Sequence, residues 1–163
     1  MVNKVTHPIL FQGDLKKQGP YFEGRYFKSV SADEKTVLSL IPGISLTAED
    51  PHCFIQYSYV HVGEAPGKEL RTGYIRYLLS AFQYNQTPFV LKVGNSFFSE
   101  TLVSVHLEED DFRMEGILKL GPFQAIKRTP LSPSIMGFFA YIPNMECYHG
   151  VISMNHAVDG TVA

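Results

Sequence analysis

Hydrophobic and polar positions alternate along most of this chain. Between residues 112 and 120, Phe112, Met114, Gly116, Leu118 and Leu120 share one face, opposite Arg113, Glu115 and Lys119. Residues 101–108 repeat the pattern, with Thr101, Val103, Val105 and Leu107 opposed to Ser104, His106 and Glu108. A period of two belongs to an extended strand, whose successive side chains point to opposite faces. The acidic run Glu108–Asp111 has the charge and length of a hairpin loop, so the two segments are predicted to pair. Further strands are expected at 20–30, 36–40, 52–62, 70–77, 88–93, 136–142 and 146–158. Ile41-Pro42-Gly43, Ala65-Pro66-Gly67, Gly121-Pro122 and residues 129–133 read as the turns between them. Within 74–82, Tyr74, Tyr77, Leu78, Ala81 and Phe82 also fall at helical spacing, so a short helix is the alternative there.

About nine strands with little helix predict an all-β antiparallel fold, a barrel or a sandwich. Residues 52–62 carry Cys53, Ile55, Tyr57, Tyr59 and His61 on one face, and Phe54, Val60 and Val62 with Gln56 and Ser58 on the other. A strand partly apolar on both faces suits a lipocalin-like or open barrel, and suits a central sandwich strand equally well. No repeat or linker interrupts the pattern, so residues 1–163 read as a single β-barrel-like domain of eight or so strands.

Composition narrows the function. Of 163 residues, 45% are hydrophobic and 18% charged, which describes a globular chain rather than a disordered one. A net charge of -2 gives no electrostatic footprint for nucleic acid. No apolar run is long enough for a membrane-spanning helix, and the first residues lack a signal-like core, so a cytoplasmic location is expected. Two cysteines, Cys53 and Cys147, make no disulfide framework. On that expectation the sequon Asn85-Gln86-Thr87 stays unmodified.

Most short motifs dissolve on inspection. Gly63–Lys68 lacks one spacer of a phosphate loop, and Glu69 stands where the metal-binding hydroxyl belongs. Pro130-x-x-Pro133 reads as a rigid loop. Ser31-Ala32-Asp33-Glu34 fits a capping box, yet only a short apolar run follows, so it reads as a turn. Cys147 and His149 share a strand face, but His156 points the other way and no fourth ligand is visible, so neither metal nor cofactor is expected. Two stretches remain. Residues 141–156 place Glu146, Tyr148, His149, Ser153, Asn155 and His156 in an otherwise apolar run, and such groups need partners or a wet cavity. Residues 22–28 place Glu23 and Arg25 on one face, where an ion pair is the simplest reading.

These two stretches also carry a resemblance. FEGRYFKSV, residues 22–30, resembles the FEGWYFK signature of tocopherol cyclase and its bacterial relatives. SPSIMGFFAYIPNMECYHGVISMNH, residues 132–156, is similar to that family's second signature. HPILFQG at 7–13, IPGIS at 41–45 and HCFIQY at 52–57 follow in the same order and spacing. Arg25 and Phe138 stand at positions usually Trp, and Asn144 at one usually apolar. Family proteins are about twice as long, so the resemblance covers what looks like an N-terminal half, with a second barrel domain or a homodimer as the implied completion.

The resemblance implies a lipocalin-like barrel and closure of a prenylated quinol to a chromanol. That reaction needs a protonated carboxyl in a dry pocket, aromatic faces for a tertiary cation, and a base for the phenol proton. Placed on the matching motifs, the chemistry selects Glu146 and Glu23 as acids and His149 as base. Tyr26, Tyr57, Tyr59, Phe139, Tyr141 and Tyr148 would line the substrate, with Asn155 and His156 as polar contacts. The implied partner is an apolar small molecule such as a prenylated aromatic, met by peripheral membrane contact. The alternative is a non-catalytic barrel that binds an apolar ligand.

Overall fold

A computed structural model describes residues 8–16, 19–63, 68–142 and 148–163. Eleven strands form two antiparallel sheets: β1 (Phe22–Gly24), β2 (Phe27–Val30), β3 (Thr36–Ser45), β4 (His52–Val62), β5 (Lys68–Leu78), β6 (Phe82–Gln86), β7 (Phe89–Val93), β8 (Ser96–Ser99), β9 (Leu102–Glu109), β10 (Phe112–Leu120) and β11 (Val158–Val162). The first sheet runs β1-β3-β4-β5, with β2 also paired to β3, and the second runs β11-β10-β9-β8-β7-β6. The sheets do not close on one another. This all-β arrangement excludes a closed barrel among the described residues and is consistent with the open barrel.

The alternation read at 101–120 holds in detail. The β9–β10 hairpin turns at Asp110 and Asp111, and Val103, Val105, Leu107, Met114 and Leu118 face the core. From the opposing sheet come Leu38, Leu40, Ile44, Cys53, Ile55, Tyr57 and Ile75, with Leu91, Val93 and Phe98 closing the interior. Ile9 and Phe11 join this core from the N-terminal segment, where Phe11 sits 5.3 Å from the Phe82 ring and 4.5 Å from that of Tyr84. Both faces of β4 are used, as its sequence suggested. On the outer face Phe54 is fully buried because it is sandwiched between Phe22 (5.4 Å, 15°) and Tyr74 (4.7 Å, 19°).

Four expectations at the level of elements need correction. Ile41-Pro42-Gly43 is not a turn: β3 runs through it, because Pro42 faces the interruption between β1 and β2. Its carbonyl accepts from Arg25 N–H at 3.0 Å. A strand residue's N and O point the same way, so the missing N–H removes no bond to β4. Residues 136–142 are not a strand either. Gly137 sits at φ +57, outside the extended region, and a 3-10 turn follows over Gly137–Tyr141. Of the strand expected at 146–158, residues 148–157 are irregular, and β11 begins only at Val158. The helical alternative at 74–82 reduces to one 3-10 turn, Leu79–Ala81, between β5 and β6. The turn read at 65–67 lies outside the described residues. No helix among the described residues is long and apolar enough to cross a membrane.

Candidate functional site

Strands β10 and β11 are neighbours in the sheet, with Leu120 opposite Val158, so residues 121–157 leave and rejoin the body at one place. The base of this excursion is tied by Gly121 N–H to Ala157 O at 2.7 Å. Its two arms then run together. Gln124 N–H donates to Ser153 Oγ at 2.9 Å, and Met154 N–H donates to Gln124 O at 3.3 Å. His156 rests against the Phe123 ring at 5.0 Å and shares a 3.1 Å hydrogen bond with Ser153. Asn155 is exposed, and its carbonyl accepts from the Ser153 hydroxyl at 3.3 Å. Further out, Ser134 shapes the 3-10 turn by receiving Met136 N–H on its hydroxyl and Gly137 N–H on its carbonyl. Tyr141 donates to Pro130 O at 2.9 Å, while its ring and that of Phe139 stay exposed.

Where this excursion meets the N-terminal segment there is a pocket of about 100 Å³. Pro8, Ile126, Arg128, Ser132, Ser134 and Tyr148 line it. Pro8 belongs to the HPILFQG motif, and Ser132, Ser134 and Tyr148 to the 132–156 run, so two motifs separated in sequence converge here. The fit is close: a Cβ on Gly150 would meet Pro8 Cβ at 2.8 Å. Tyr148 buries its hydroxyl, and His149 beside it is exposed with its backbone N–H on Met136 Sδ at 3.2 Å. The pocket is smaller than the few hundred Å³ usual for a drug-sized ligand.

The third motif reaches the same neighbourhood through an ionic clamp. Glu23 pairs with Arg25, and both side chains are about nine-tenths buried, at 11% and 10% exposure. The Glu23 carboxylate also receives Gln12 N–H, at 3.2 and 3.0 Å to its two oxygens, and the Tyr21 hydroxyl. Arg25 donates onward to Ile9 O at 2.7 Å and Leu10 O at 2.5 Å. An indole has one N–H and could not do this, which gives Arg25 a role where the resembled family has Trp. Among the described residues, the partners Gln12, Tyr21 and Arg25 of the Glu23 carboxylate are all donors. The arrangement fastens residues 9–12 to β1, next to Pro8 of the pocket.

The remaining expected residues are spread over the sheets. Tyr57 is buried between them, stacked on Phe112 at 4.7 Å and 5°, with its hydroxyl donating to Glu109 at 2.7 Å. Burial, and then the Glu109 carboxylate, push its pKa up to about 12. Tyr59 is partly buried against the same core. Tyr26 is 64% exposed on the outer face and hydrogen-bonds Ser39 at 3.0 Å. Glu146 and Cys147 lie outside the described residues. The structure therefore places Tyr148 at the pocket with Pro8, which directly precedes the segment that the Glu23–Arg25 clamp holds, while His149 is exposed beside Met136 and Tyr26 and Tyr57 belong to other surroundings. Pro8, Arg128, Ser132 and Ser134 were not singled out from sequence. The signal for three of them was membership of the matching motifs rather than any reactive side chain.

No family model matches this sequence, and no curated protein or solved structure is similar to it.

Proposed function

We propose that this chain is a tocopherol cyclase-like protein, which closes a prenylated quinol to a chromanol by acid-catalysed intramolecular addition. The observation that supports this reading is the convergence of the resembling motifs on the pocket at Tyr148. A proton delivered to the prenyl double bond creates a tertiary cation, the phenol oxygen bonds to that carbon, and the phenol proton leaves to a base. Atoms balance without redox change. Glu146 is the proposed acid and His149 the proposed base. Tyr148, with Phe139 and Tyr141 on the adjacent turn, supplies aromatic faces that favour the cation. Glu23 acts here as the clamp that positions residues 9–12, in preference to a proton donor. A pocket this small holds no prenyl chain, so the proposal includes a second unit that completes it. Exposed Leu131, Phe138 and Met154 on the same excursion suit peripheral contact with the membrane where such a substrate dissolves.

A second reading, an apolar-ligand binder without catalysis, is favoured by those same exposed side chains. One experiment separates the two. The purified protein is incubated with a prenylated hydroquinone, chromanol is followed by chromatography, and binding is followed by quenching of tyrosine emission. Chromanol should form, and Glu146→Gln should lower the rate about 100-fold or more with binding retained, as loss of a general acid does. Binding with no chromanol from the unaltered protein would establish the second reading instead. Unchanged turnover in Glu146→Gln would remove Glu146 from the mechanism.

A further inference from the structure

Strand β5 forms one edge of its sheet. It runs in unbroken register with β4, from Lys68 opposite Val62 to Leu78 opposite His52, and contains no proline. Among the described residues, its only backbone–backbone hydrogen bonds are those of the β4 ladder. An edge of eleven residues without bulge or proline is a template for another strand. Natural proteins usually shorten or distort such an edge when nothing is meant to pair with it.

The outward face of β5 says what fits. Leu70, Tyr74 and Leu78 lie four apart on one face and are 58%, 41% and 80% exposed. If β5 pairs antiparallel with its own copy about a two-fold axis at Tyr74, Leu70 falls opposite Leu78, Thr72 opposite Arg76, and Tyr74 opposite itself. The apolar side chains then meet one another. Sliding by one step in either direction sets Leu70 or Tyr74 against Arg76 instead. Slips that exchange the faces are excluded by burial of the inner face at Ile75. The arginines bring no repulsion, since Arg71 pairs with Glu69 and Asp111, and Arg76 with Asp50, all within the chain.

One further observation agrees. The Phe22–Phe54–Tyr74 stack ends at this edge, so pairing would continue it across the axis into one aromatic row. We propose that β5 is a homodimer interface, joining two copies edge to edge in one continuous sheet centred on Tyr74. Main-chain hydrogen bonds supply the affinity, and the leucine–leucine and tyrosine–tyrosine pairs fix the register.

Sedimentation velocity over a concentration series tests this. The unaltered protein should sediment as a dimer that dissociates on dilution. The Leu70→Lys/Leu78→Lys variant, which opposes like charges at exposed sites, should sediment as a monomer with an unchanged circular dichroism spectrum. The Leu70→Glu/Leu78→Lys variant should restore the dimer, because each new carboxylate then faces an ammonium. Under mild oxidation Tyr74→Cys should cross-link to a covalent dimer, and Thr72→Cys should not. A monomer at every concentration would overturn the proposal, and so would a dimer indifferent to the paired lysines. Cross-linking through Thr72→Cys as efficient as through Tyr74→Cys would overturn the register.

Discussion

Tyr21, Tyr57 and Cys53 are all held in their neutral forms, chiefly by burial. The Cys53 thiol is pushed up to about 11 and the Tyr57 phenol to about 12; Tyr21 is raised as well, by burial and then by the Glu23 carboxylate it bonds. In the unfolded chain these groups lose their protons at lower pH than in the folded one. Between the two sets of values the unfolded state binds fewer protons, so stability falls as pH rises. Their contribution is fully present below about pH 9 by the ordinary values of these groups. It is lost as pH climbs through the folded-state values near 11 and 12. Urea midpoints measured across the alkaline range should therefore decline steeply, with tyrosinate absorbance rising in step with unfolding for the buried phenols. A flat midpoint up to the top of that range would contradict the burial of these hydroxyls. At this scale the sequence was only partly legible. The Glu23–Arg25 pair could be read from spacing, whereas the partners of Tyr57 lie on strands remote in sequence.

Among the elements, β3 shows how a side chain on one strand dictates absence on its neighbour. Phe54 packs across β3 at Gly43, where a Cβ would lie 2.4 Å from Phe54 Cζ and 2.7 Å from Glu23 O. Gly43→Ala should then destabilise the fold by about 1–3 kcal/mol, the usual cost of overpacking. Gly19→Ala, where nothing lies within 4 Å of the added carbon, should be close to neutral. Urea unfolding of the two variants checks this, with equal m-values required for the comparison. The same strand explains a misreading. Pro42 looked like a turn because proline and glycine together punctuate most sequences, but an interrupted neighbour lets a proline sit inside a sheet. Residues 136–142 failed for the opposite reason. Their unbroken apolar and aromatic run resembles a buried strand, and the positive φ of Gly137 is invisible to any count of apolar positions.

For the whole molecule, protection should divide along the same line as regularity. The two sheets share a core and continuous ladders, while residues 121–142 are mostly exposed and joined by a few turn hydrogen bonds. Lys127 and Arg128 are the only basic residues after Lys119 and both are exposed, so limited trypsin digestion should cut first at this pair. The nicked protein should stay together on a sizing column, because β11 remains paired to β10. Release of the C-terminal fragment would show that this pairing does not survive cleavage. The all-β architecture and the central hairpin were legible because β9 and β10 each bury one face and leave the other to solvent. The pocket was not, since it is assembled from segments whose positions depend on the clamp at Arg25 and on the return of β11.

The excursion at 121–157 has one consequence for how such a molecule could change over evolutionary time. Its two ends stand side by side at Leu120 and Val158, so lengthening or shortening it displaces neither strand. The entropy of closing a loop grows only slowly with its length, and each doubling costs about 0.6 kcal/mol. The ladders are therefore indifferent to changes of length between those two residues, provided that Phe123 and Ile152 keep their places against the core. New residues can be inserted, lost or exchanged there while the scaffold keeps its register. The stretch most suggestive of chemistry is thus also the stretch the architecture leaves most open to replacement.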